Sequence, residues 1–540
     1  MASESLPVLV VGAGPTGLAA ALALTQSGIP IRLIDRLPEP TSQSRAAVIH
    51  ARTIELFERL GVAEDFLARG VKIHGAAIYG PEGKLLSRPN MDHLPTAYAY
   101  MLGLEQSETE SLLAKRLSAL GVAAERKVEL LGFEQTESSV RVRVRNGDGQ
   151  ETEAEYAYLV GCDGARSATR AGLGLHLEGE TLDTTWITAD VKIRWDRSPD
   201  EAIAYLSPQG FAFIAPMNDD RWRVIVNVPK MTPEQAEKLT LEEIQAMVLE
   251  RFGLDAPLYD PVWISPFSIN TRLAPTMRNG RVFLAGDASH VHSPVGGQGM
   301  NTGIQDALNL AWKLALVHAG RAIPELLDSY DPERHGNAKR LLQMVGPATK
   351  VINLRHPVTV EIRNLFIRMV AQLGMASAMA RNFSMLEVAY PGSPIVEEHD
   401  THWFETAPRA GHRAPDAGGM VVPGNEPQRL FELWKGDPRH ILMLFAGSQL
   451  SAERLAEWST FVESGKRTDI LRPMLITAAE TSHAPNAVLD TQGHAHEAYQ
   501  ALHGALYLIR PDGYVAFRSS LDGKEALAAY VARWFPASAA

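Results

Sequence analysis

The stretch VLVVGAGPTGLAAALALTQSGIPIRLID, residues 8–35, decides the fold of the amino-terminal part of the chain. The apolar run Pro7–Val11 predicts a strand, and the Ala- and Leu-rich segment Leu18–Gln26 predicts a helix. A second strand is expected over Ile31–Ile34 and closes at Asp35. This order predicts a β-α-β unit with parallel strands.

The turn between this strand and helix holds Gly12, Gly14 and Gly17, the spacing that binds a dinucleotide. The first glycine permits a tight turn, the second lets a pyrophosphate approach the backbone, and the third lets the helix pack on the sheet. The helix N-terminus then stabilises the phosphate charge. Asp35, 18 positions after Gly17 (35 minus 17), is suited to accept from ribose hydroxyls. The pattern predicts dinucleotide binding but does not separate FAD from NAD.

A second motif, YLVGCDGARS, covers residues 158–167, with Arg170 beyond it. Taken alone, it favours a strand-turn-helix junction in which Asp163 caps the helix. Cys162 is the single cysteine, which excludes a disulfide, a thiolate zinc site and a cysteine pair within one chain. We expect it to be a buried apolar residue rather than a nucleophile, and we predict no metal site.

The third motif, RVFLAGDASHVHSPVGGQGMN, covers residues 281–301. A buried strand delivers Asp287 at its carboxyl end, where open parallel sheets bind ligands. A glycine loop follows and leads into a helix that we expect Thr302 and Gln305 to open as a capping box. The positive end of that helix suits a ligand that becomes anionic, as reduced flavin does at N1 and the C2 oxygen.

The rest of the chain predicts further domains, as 540 residues are too many for one ordinary core. Extended stretches at 186–195, 211–217 and 221–229 predict an inserted antiparallel sheet, followed by a helix with a capping box at Thr240 and Glu243. Beyond a Pro- and Gly-rich segment, the β-α-β-β-β-α order fits a thioredoxin-like domain without CxxC. The predicted divisions are residues 1–180 and 276–390 for the dinucleotide-binding domain, 181–275 for the inserted sheet, 391–419 for a linker and 420–540 for the thioredoxin-like domain.

Composition excludes several classes of protein. Hydrophobic residues make up 45% and charged residues 21%, the balance of a packed globular protein. The net charge of -11 argues against a nucleic-acid-binding surface. The chain shows no basic leader segment and no apolar run of about 18 residues, so a cytoplasmic protein without a membrane span is expected.

The three motifs together resemble the single-component (class A) FAD-dependent aromatic hydroxylases, the group of para-hydroxybenzoate hydroxylase and phenol hydroxylase. The similarity covers about residues 6–330, and AGDASHVHSPVGGQGMNTGIQDALNLAWKL (285–314) carries it most specifically. YDPER (330–334) also resembles this family, and LYLIRPDGYVAFR (506–518) resembles the thioredoxin-like C-terminal domain of the phenol hydroxylase branch. The implied fold is α/β: a Rossmann-like FAD-binding domain with an inserted antiparallel-sheet substrate domain, plus a C-terminal thioredoxin-like domain.

The resemblance implies a set of residues that bind FAD. They are Gly12, Gly14 and Gly17 at the pyrophosphate, Asp35 and Arg36 at the adenosine, Val128 at the adenine, Arg45 and Gln106 along the cofactor, Asp163 in the motif that serves FAD and NAD(P)H, Asp287 at the ribityl hydroxyls, and Pro294, Gly299, Met300 and Asn301 at the isoalloxazine. It also implies a C4a-hydroperoxyflavin that transfers oxygen to a phenolic ring, with NAD(P)H and O2 as co-substrates. Homodimers are common among such enzymes, so a homodimer is an expectation that comes from the resemblance.

The catalytic base and the substrate residues are the least defined part of the site. Some relatives place an Asp or His where this chain has Ala47, and His50, three positions on, is a candidate substitute beside a plain packing role. His290 and His292 are further candidates to reach flavin or substrate. On the predicted sheet, the candidate substrate residues are Tyr205, Phe213 and Arg221; core packing is the alternative for Phe211 and Phe213, and solvation for Arg221 and Arg223.

The function that these observations favour is hydroxylation of a phenolic or polycyclic aromatic compound. Two alternatives stay open: the same chemistry on a non-aromatic or polyketide substrate, and a flavin-binding NAD(P)H oxidase-like protein without hydroxylation. The absence of an acid or histidine at Ala47 keeps the second alternative open.

Overall fold

The structure is a computed structural model. It describes residues 6–41, 46–218, 220–228, 231, 235, 238–293, 296–354, 356–372, 376–399, 406–447, 451–463, 467–478, 484 and 486–536. Arg45 and Pro294, two of the predicted FAD residues, lie outside these ranges.

The first third of the chain alternates short strands and helices. Its strands are β1 (Val8–Val11), β2 (Ile31–Asp35), β3 (Val48–Ile49), β4 (Val71–Ile73), β5 (Gly75–Tyr79), β6 (Leu85–Ser87), β7 (Met101–Gly103), β8 (Glu125–Arg126), β9 (Glu129–Gln135), β10 (Val140–Arg145), β11 (Glu151–Tyr156) and β12 (Tyr158–Gly161). Its helices are α1 (Pro15–Gln26), α2 (Ala51–Arg59), α3 (Ala63–Arg69), α4 (Gln106–Ala119) and α5 (Ala168–Gly172).

The middle of the chain holds the longest strands and the longest helices. Its strands are β13 (Glu178–Ile193), β14 (Glu201–Ser207), β15 (Gly210–Pro216), β16 (Trp222–Val228), β17 (Leu258–Leu273), β18 (Arg278–Asn279), β19 (Val282–Leu284) and β20 (His290–Val291). Its helices are α6 (Leu241–Phe252), α7 (Gly299–His318), α8 (Tyr330–Ile352), α9 (Pro357–Gln372) and α10 (Ala376–Phe383).

The last part of the chain forms a separate sheet flanked by short helices. Its strands are β21 (Glu397–Glu398), β22 (Met420–Val421), β23 (His440–Phe445), β24 (Leu471–Thr477), β25 (Val488–Asp490), β26 (Ala505–Ile509) and β27 (Val515–Ser519). Its helices are α11 (Ala452–Glu463), α12 (His494–Ala498) and α13 (Lys524–Trp534).

The sheet that carries the glycine motif has the strand order β18-β19-β12-β1-β2-β8. All its pairs are parallel except β18 with β19. The predicted β-α-β unit is therefore confirmed. Because parallel strands end at the same edge, the turns after β1, β12 and β19 come together there.

The inserted sheet has eight strands in the order β20-β17-β13-β16-β15-β14-β5-β6, mostly antiparallel. The helix α6 opens with the predicted capping box, since the side chains of Thr240 and Glu243 bond each other's backbone amides. The second predicted capping box is wrong. α7 begins three residues earlier, at Gly299, and the Thr302 hydroxyl donates to the carbonyl of Gln298 instead (2.8 Å).

The C-terminal sheet has the order β21-β27-β26-β23-β24-β25-β22. β26 and β27 form an antiparallel hairpin around Pro511, Asp512 and Gly513. β21 lies within the segment predicted as a linker and pairs with β27, and Ala407, Ala410 and Ala414 of the same segment are buried in the C-terminal core.

The turn of that hairpin docks on the FAD-binding part of the chain. Arg52 of α2 donates to the Asp512 carbonyl (2.6 Å), and Arg59 donates to the Pro511 carbonyl (3.2 Å). Arg510 makes a two-pronged ion pair with Glu333 of α8 at 2.7 and 2.9 Å, with both side chains fully buried. The C-terminal sheet is thus joined to the rest of the molecule by buried charge.

Among the described residues, no helix combines the length and the apolar composition needed to cross a membrane.

Candidate flavin site

The three glycines of the turn after β1 have different roles: two are required by packing, and one leaves space for a ligand. Gly12 has φ +101°, and a Cβ on it would lie 2.4 Å from the carbonyl oxygen of Cys162. A Cβ on Gly17 would lie 1.8 Å from the carbonyl oxygen of Gly12. A Cβ on Gly14 would meet no protein atom within 4 Å. Two of the glycines are therefore required by packing, whereas Gly14 leaves the close approach that a pyrophosphate needs at the start of α1.

Asp35 lies at the end of β2, where the adenosine ribose is expected. Its carboxylate accepts from the amides of Ala13 (2.7 Å) and Leu37 (2.8 Å). A carboxylate offers about four acceptor sites, so it can still accept from ribose hydroxyls. Arg36 is exposed beside it. Val128 is buried, and its amide already donates to the carbonyl of Asp35 (3.0 Å), so this amide is engaged within the protein.

Asp163 organises the turn after β12. Its carboxylate accepts from the Ser167 hydroxyl (2.6 Å) and from the amide of Thr169 (2.9 Å). Ser167 in turn caps α5 by accepting from the amide of Arg170 (2.8 Å). The strand-turn-helix interpretation therefore accounts for this carboxylate. Arg170 also donates to the carbonyl of Ala288 (2.9 Å) and so ties this turn to the turn that carries Asp287.

The turn after β19 presents Asp287 as an exposed carboxylate on a short 3-10 helix, Gly286–Ala288. The amide of Gly286 donates to Asp306 (3.0 Å), a buried acid in α7. Asp306 also binds Nε2 of His290 (2.7 Å) and Nε of Arg334 (2.7 Å). Burial alone would raise the pKa of Asp306, but Arg334 and His290 hold that pKa below its usual value. His290 thus stabilises the turn, a role that the sequence did not indicate.

His292 lies beside the first turn of α7. Its Nδ1 donates to the Ser293 carbonyl (2.9 Å), because a carbonyl oxygen only accepts. A Cβ on Gly299 would lie 3.8 Å from its Nε2. Burial, followed by the neighbouring His290, lowers the pKa of His292 to about 4, so the ring is neutral at physiological pH.

The first turn of α7 holds Gly299, Met300 and Asn301, which were predicted to meet the isoalloxazine. Helix geometry leaves their amides without intrahelical acceptors, so they present positive potential. The Asn301 side chain is buried and occupied: its Nδ2 donates to the carbonyls of Val48 (3.0 Å) and Gly297 (2.9 Å), and its Oδ1 accepts from the amide of His50 (2.9 Å). The backbone amides of this first turn, rather than the side chain of Asn301, can therefore bind a ligand.

The His50 side chain holds the glycine loop that precedes α7 in place. Its Nε2 donates to the carbonyl of Gly296 (2.7 Å), and its ring is fully buried. Burial lowers the pKa of His50 to about 4. Gly297, at φ +64°, packs so closely that a Cβ on it would lie 2.4 Å from Val48 Cγ2. The histidine therefore fixes the loop and is poorly placed to act as a base, which favours the packing role over the catalytic one.

Substitution of His50 distinguishes these two roles. The change His50→Phe removes the donor to Gly296 but keeps a ring, and we expect weaker flavin retention. His50→Gln, which keeps an N–H donor, is the control and should retain most of the wild-type flavin content. The pH profile of kcat/KM between about pH 5 and 9 should not change, since this histidine ionises near pH 4. Loss of an ionisation from that profile would mean that His50 is the base after all.

The inserted sheet has two faces, and they separate the predicted substrate residues. Phe213 points to the face that also carries Ile225 and Phe267; it is partly exposed and packs against both the FAD-domain core and the apolar cluster of the sheet. Tyr205 points to the opposite face, where it stacks on Tyr79 with ring centroids 5.3 Å apart. The structure therefore places these two predicted substrate residues on opposite faces of the sheet.

Arg221, just before β16, and Arg223, within it, each bond an acidic residue. Arg221 donates to the carbonyl and the carboxylate of Asp260 (2.8 and 3.0 Å). Arg223 is fully buried and bonds Asp190 through Nε and Nη2 (2.7 and 2.6 Å). The expectation that Arg223 is solvated is therefore wrong, because its cross-strand neighbour is an acid. Trp263 Nε1 also donates to Asp190 (2.7 Å), and neither Asp190 nor Trp263 was selected from the sequence.

Gln106 begins α4 next to the segment that follows Arg45. β3 pairs with β7, and the amide of Gln106 donates to the carbonyl of Ala46 (3.2 Å). The preceding Glu105 is half-buried, and burial followed by the charge of Asp190 raises the pKa of Glu105. This end of α4 therefore lies close enough to the buried Asp190–Arg223 pair for the charge of Asp190 to act on Glu105.

Comparison with known proteins identifies the family of the chain. The FAD binding domain family matches residues 5–345, and the aromatic-ring hydroxylase C-terminal family matches residues 407–538. The chain belongs to the FAD-dependent aromatic-ring hydroxylases of the phenol hydroxylase type, and it is a flavoprotein monooxygenase.

Individual relatives cover nearly the whole chain. It is 35% identical to 6-methylpretetramide 4-monooxygenase of Streptomyces rimosus, over 97% of this chain and 92% of the relative. It is 31% identical to pentachlorophenol 4-monooxygenase of Sphingobium chlorophenolicum, over 96% and 95%. Among solved structures, the anhydrotetracycline hydroxylase OxyS from Streptomyces rimosus superposes with a TM-score of 0.76 at 30% identity, over 98% and 99%.

Proposed function

We propose that this monooxygenase hydroxylates a phenolic polycyclic aromatic compound and takes its electrons from NAD(P)H. The observation that carries the substrate class is the sheet face with Phe213, Ile225 and Phe267, which is apolar and only partly covered. A flat ring system gains from aromatic contact of this kind. The relatives that act on 6-methylpretetramide and anhydrotetracycline support a fused-ring substrate over a single ring.

The residues present fit an FAD. Gly14 and the start of α1 would hold the pyrophosphate, Asp35 the ribose, Asp287 the ribityl hydroxyls and the first turn of α7 the pyrimidine edge. When bound, FAD activates O2 and delivers one oxygen atom to the ring. The protein would orient the cofactor, and the positive end of α7 would stabilise the anionic charge of a reduced flavin. With one glycine fingerprint in the chain, NAD(P)H is expected to bind transiently rather than in a second dinucleotide fold.

The predicted divisions give each part of the chain a role within this proposal. Residues 1–180 and 276–390 would hold the FAD, and residues 181–275 would provide most strands of the sheet against which the substrate lies, with β5, β6 and β20 completing it. Residues 391–419 lead into residues 420–540 and pack partly with them, and this C-terminal part supports α2 and α8 through Arg510 and Asp512. A homodimer remains part of the proposal for the assembled enzyme.

The test uses the purified yellow protein. NADH and NADPH consumption would be followed with no substrate, with single-ring phenols and with fused-ring phenols such as hydroxylated naphthalenes and anthraquinones. Stimulation by the fused-ring compounds, together with a product heavier by one oxygen atom, supports the proposal. Unstimulated NAD(P)H consumption with peroxide release would instead favour an oxidase-like protein, and stimulation by single-ring phenols alone would overturn the substrate class.

Asp287 offers a direct test of the cofactor placement. Because its side chain is exposed and the Gly286 turn is held by Asp306, Asp287→Ala should leave the turn intact. We expect the loss of hydrogen bonds to the ribityl chain to weaken FAD binding by roughly tenfold or more, since bonds to charged groups contribute about 1.5–3 kcal/mol. FAD retained after gel filtration is the measurement. Unchanged flavin content would show that Asp287 does not contact the cofactor.

A further inference from the structure

Helix α9 has one buried face and one exposed apolar face. Arg363, Asn364 and Val360 are buried, and Ile367 packs on the apolar cluster of the inserted sheet. The opposite face carries five large apolar side chains that are about half to two-thirds exposed: Val358 (59%), Ile362 (62%), Leu365 (66%), Phe366 (58%) and Met369 (47%).

The spacing of these five residues forms a single stripe. They follow the pattern i, i+4, i+7, i+8 and i+11, which places all of them on one side of a helix. Single exposed apolar residues are ordinary, but a contiguous stripe along a 16-residue helix marks an interaction surface.

Two residues of opposite charge, Glu361 and Arg368, lie along one edge of this stripe. Glu361 and Arg368 are seven positions apart, about two helical turns or roughly 10 Å along the axis, too far to pair with each other. Among the described residues, neither forms an ion pair with another side chain, and Nε of Arg368 is buried without a hydrogen-bond partner. Within the described residues, the charges of Glu361 and Arg368 are therefore not neutralised by an ion pair.

This arrangement is self-complementary. If a second copy of α9 lies antiparallel across a twofold axis at the level of Asn364 and Leu365, Glu361 of each copy faces Arg368 of the other. The same operation places Leu365 at the centre, with Ile362 and Phe366 interdigitating around it. Two symmetric ion pairs would then border an apolar seam, as in antiparallel helix pairs whose flanking charges set orientation.

We propose that the exposed face of α9 is the contact between two copies of this chain. One helix face is smaller than the roughly 800 Å² per partner of a standard interface. The dimer is therefore concentration-dependent, with dissociation expected in the micromolar range, and the ion pairs make it sensitive to salt. The proposal is independent of the substrate, and it requires only the folded flavoprotein.

A charge-exchange experiment tests the contact. The full-length holoprotein would be measured by analytical ultracentrifugation from about 0.5 to 100 μM, as wild type, Glu361→Arg, Arg368→Glu and the double variant. Each single change puts like charges opposite each other and should weaken dimerisation at least tenfold. The double change restores opposite charges and should recover most of the affinity. Flavin content and circular dichroism show that each variant is folded.

Leu365→Glu, at the centre of the stripe, should abolish the dimer, whereas Glu325→Arg on a distant short helix should have no effect. A monomer at every concentration in the wild type would overturn the proposal, and binding of that monomer to phosphatidylcholine vesicles would assign the stripe to a lipid surface instead. A dimer that is unaffected by Leu365→Glu and by both single charge changes would place the contact elsewhere and equally overturn it.

Discussion

The variant Gly14→Val is expected to fold normally and to contain almost no FAD. Gly14 is the N-cap residue of α1 with φ -78° and ψ -175°, a conformation that a β-branched residue adopts readily. A Cβ at this position meets no protein atom within 4 Å. The added methyl groups would instead occupy the approach of the pyrophosphate to the backbone. We expect FAD affinity to fall by about 100-fold or more, equivalent to about 3 kcal/mol.

The neighbouring Gly17→Val is the matched comparison. Its Cβ would lie 1.8 Å from the Gly12 carbonyl oxygen, so this variant must separate α1 from the sheet and should be poorly folded. Thermal unfolding and FAD titration of both apoproteins provide the measurement. Gly14→Val protein that binds FAD as wild type would show that the pyrophosphate does not approach this turn.

The second large effect is expected from Glu333→Leu. The carboxylate of Glu333 accepts from Arg510 (2.7 and 2.9 Å), Lys313 (2.8 Å) and Asn309 (2.6 Å), and all these groups are buried. In this variant Lys313 loses its ion-pair partner, and Arg510 keeps an ion pair with Asp512 only. Loss of one partner from a buried ion pair typically destabilises by about 3–5 kcal/mol.

The pH dependence of this effect has a defined sign. Burial alone would raise the pKa of Glu333, but Arg510 and Lys313 hold its pKa well below the usual value. A group with a depressed folded-state pKa stabilises the protein above its unfolded pKa, about 4.3, and this contribution is lost as the pH falls further. The difference in unfolding free energy between wild type and Glu333→Leu should therefore be full near neutral pH and shrink below about pH 4.

Denaturant unfolding at pH 7 and at pH 4 and below measures both effects. Glu125→Gln serves as control, because the ion pair of Glu125 with Arg32 is solvent-exposed and should contribute no more than about 1 kcal/mol. Equal stability of Glu333→Leu and wild type at neutral pH would mean that the network is not a stabilising contact between the C-terminal sheet and α8.

Local motifs correctly predicted the β-α-β unit and the FAD-binding family. The glycine turn and the Asp287 turn each depend on a few consecutive residues, so the β-α-β order and the FAD-binding family could be inferred directly. Helix α7 shows the limit of such reasoning: Thr302 and Gln305 have the spacing of a capping box, but the helix already begins at Gly299, and the Thr302 hydroxyl donates to the carbonyl of Gln298 instead.

Contacts between distant positions could not be predicted in this way. The bond from His50 to Gly296 joins residues 246 positions apart, and the ion pair of Asp190 with Arg223 depends on the register of β13 with β16. Tyr205 and Phe213 both suit a substrate face by residue type, yet the alternation of β14 and β15 sends them to opposite sides of the sheet. The catalytic base stays undefined by either route, since the pKa values of His50 and His292 are both lowered to about 4.

The buried ion pair of Glu333 with Arg510 also affects the order of folding during biosynthesis. The two residues are 177 positions apart, and a ribosome that adds about 5–20 residues per second needs roughly 10 to 35 s to travel from one to the other. During that interval Glu333 and Lys313 are in place, but Arg510, which later bonds Glu333, has not yet been synthesised. The nascent FAD-binding part should therefore stay open around α8, and it can close tightly only when the final hairpin has emerged.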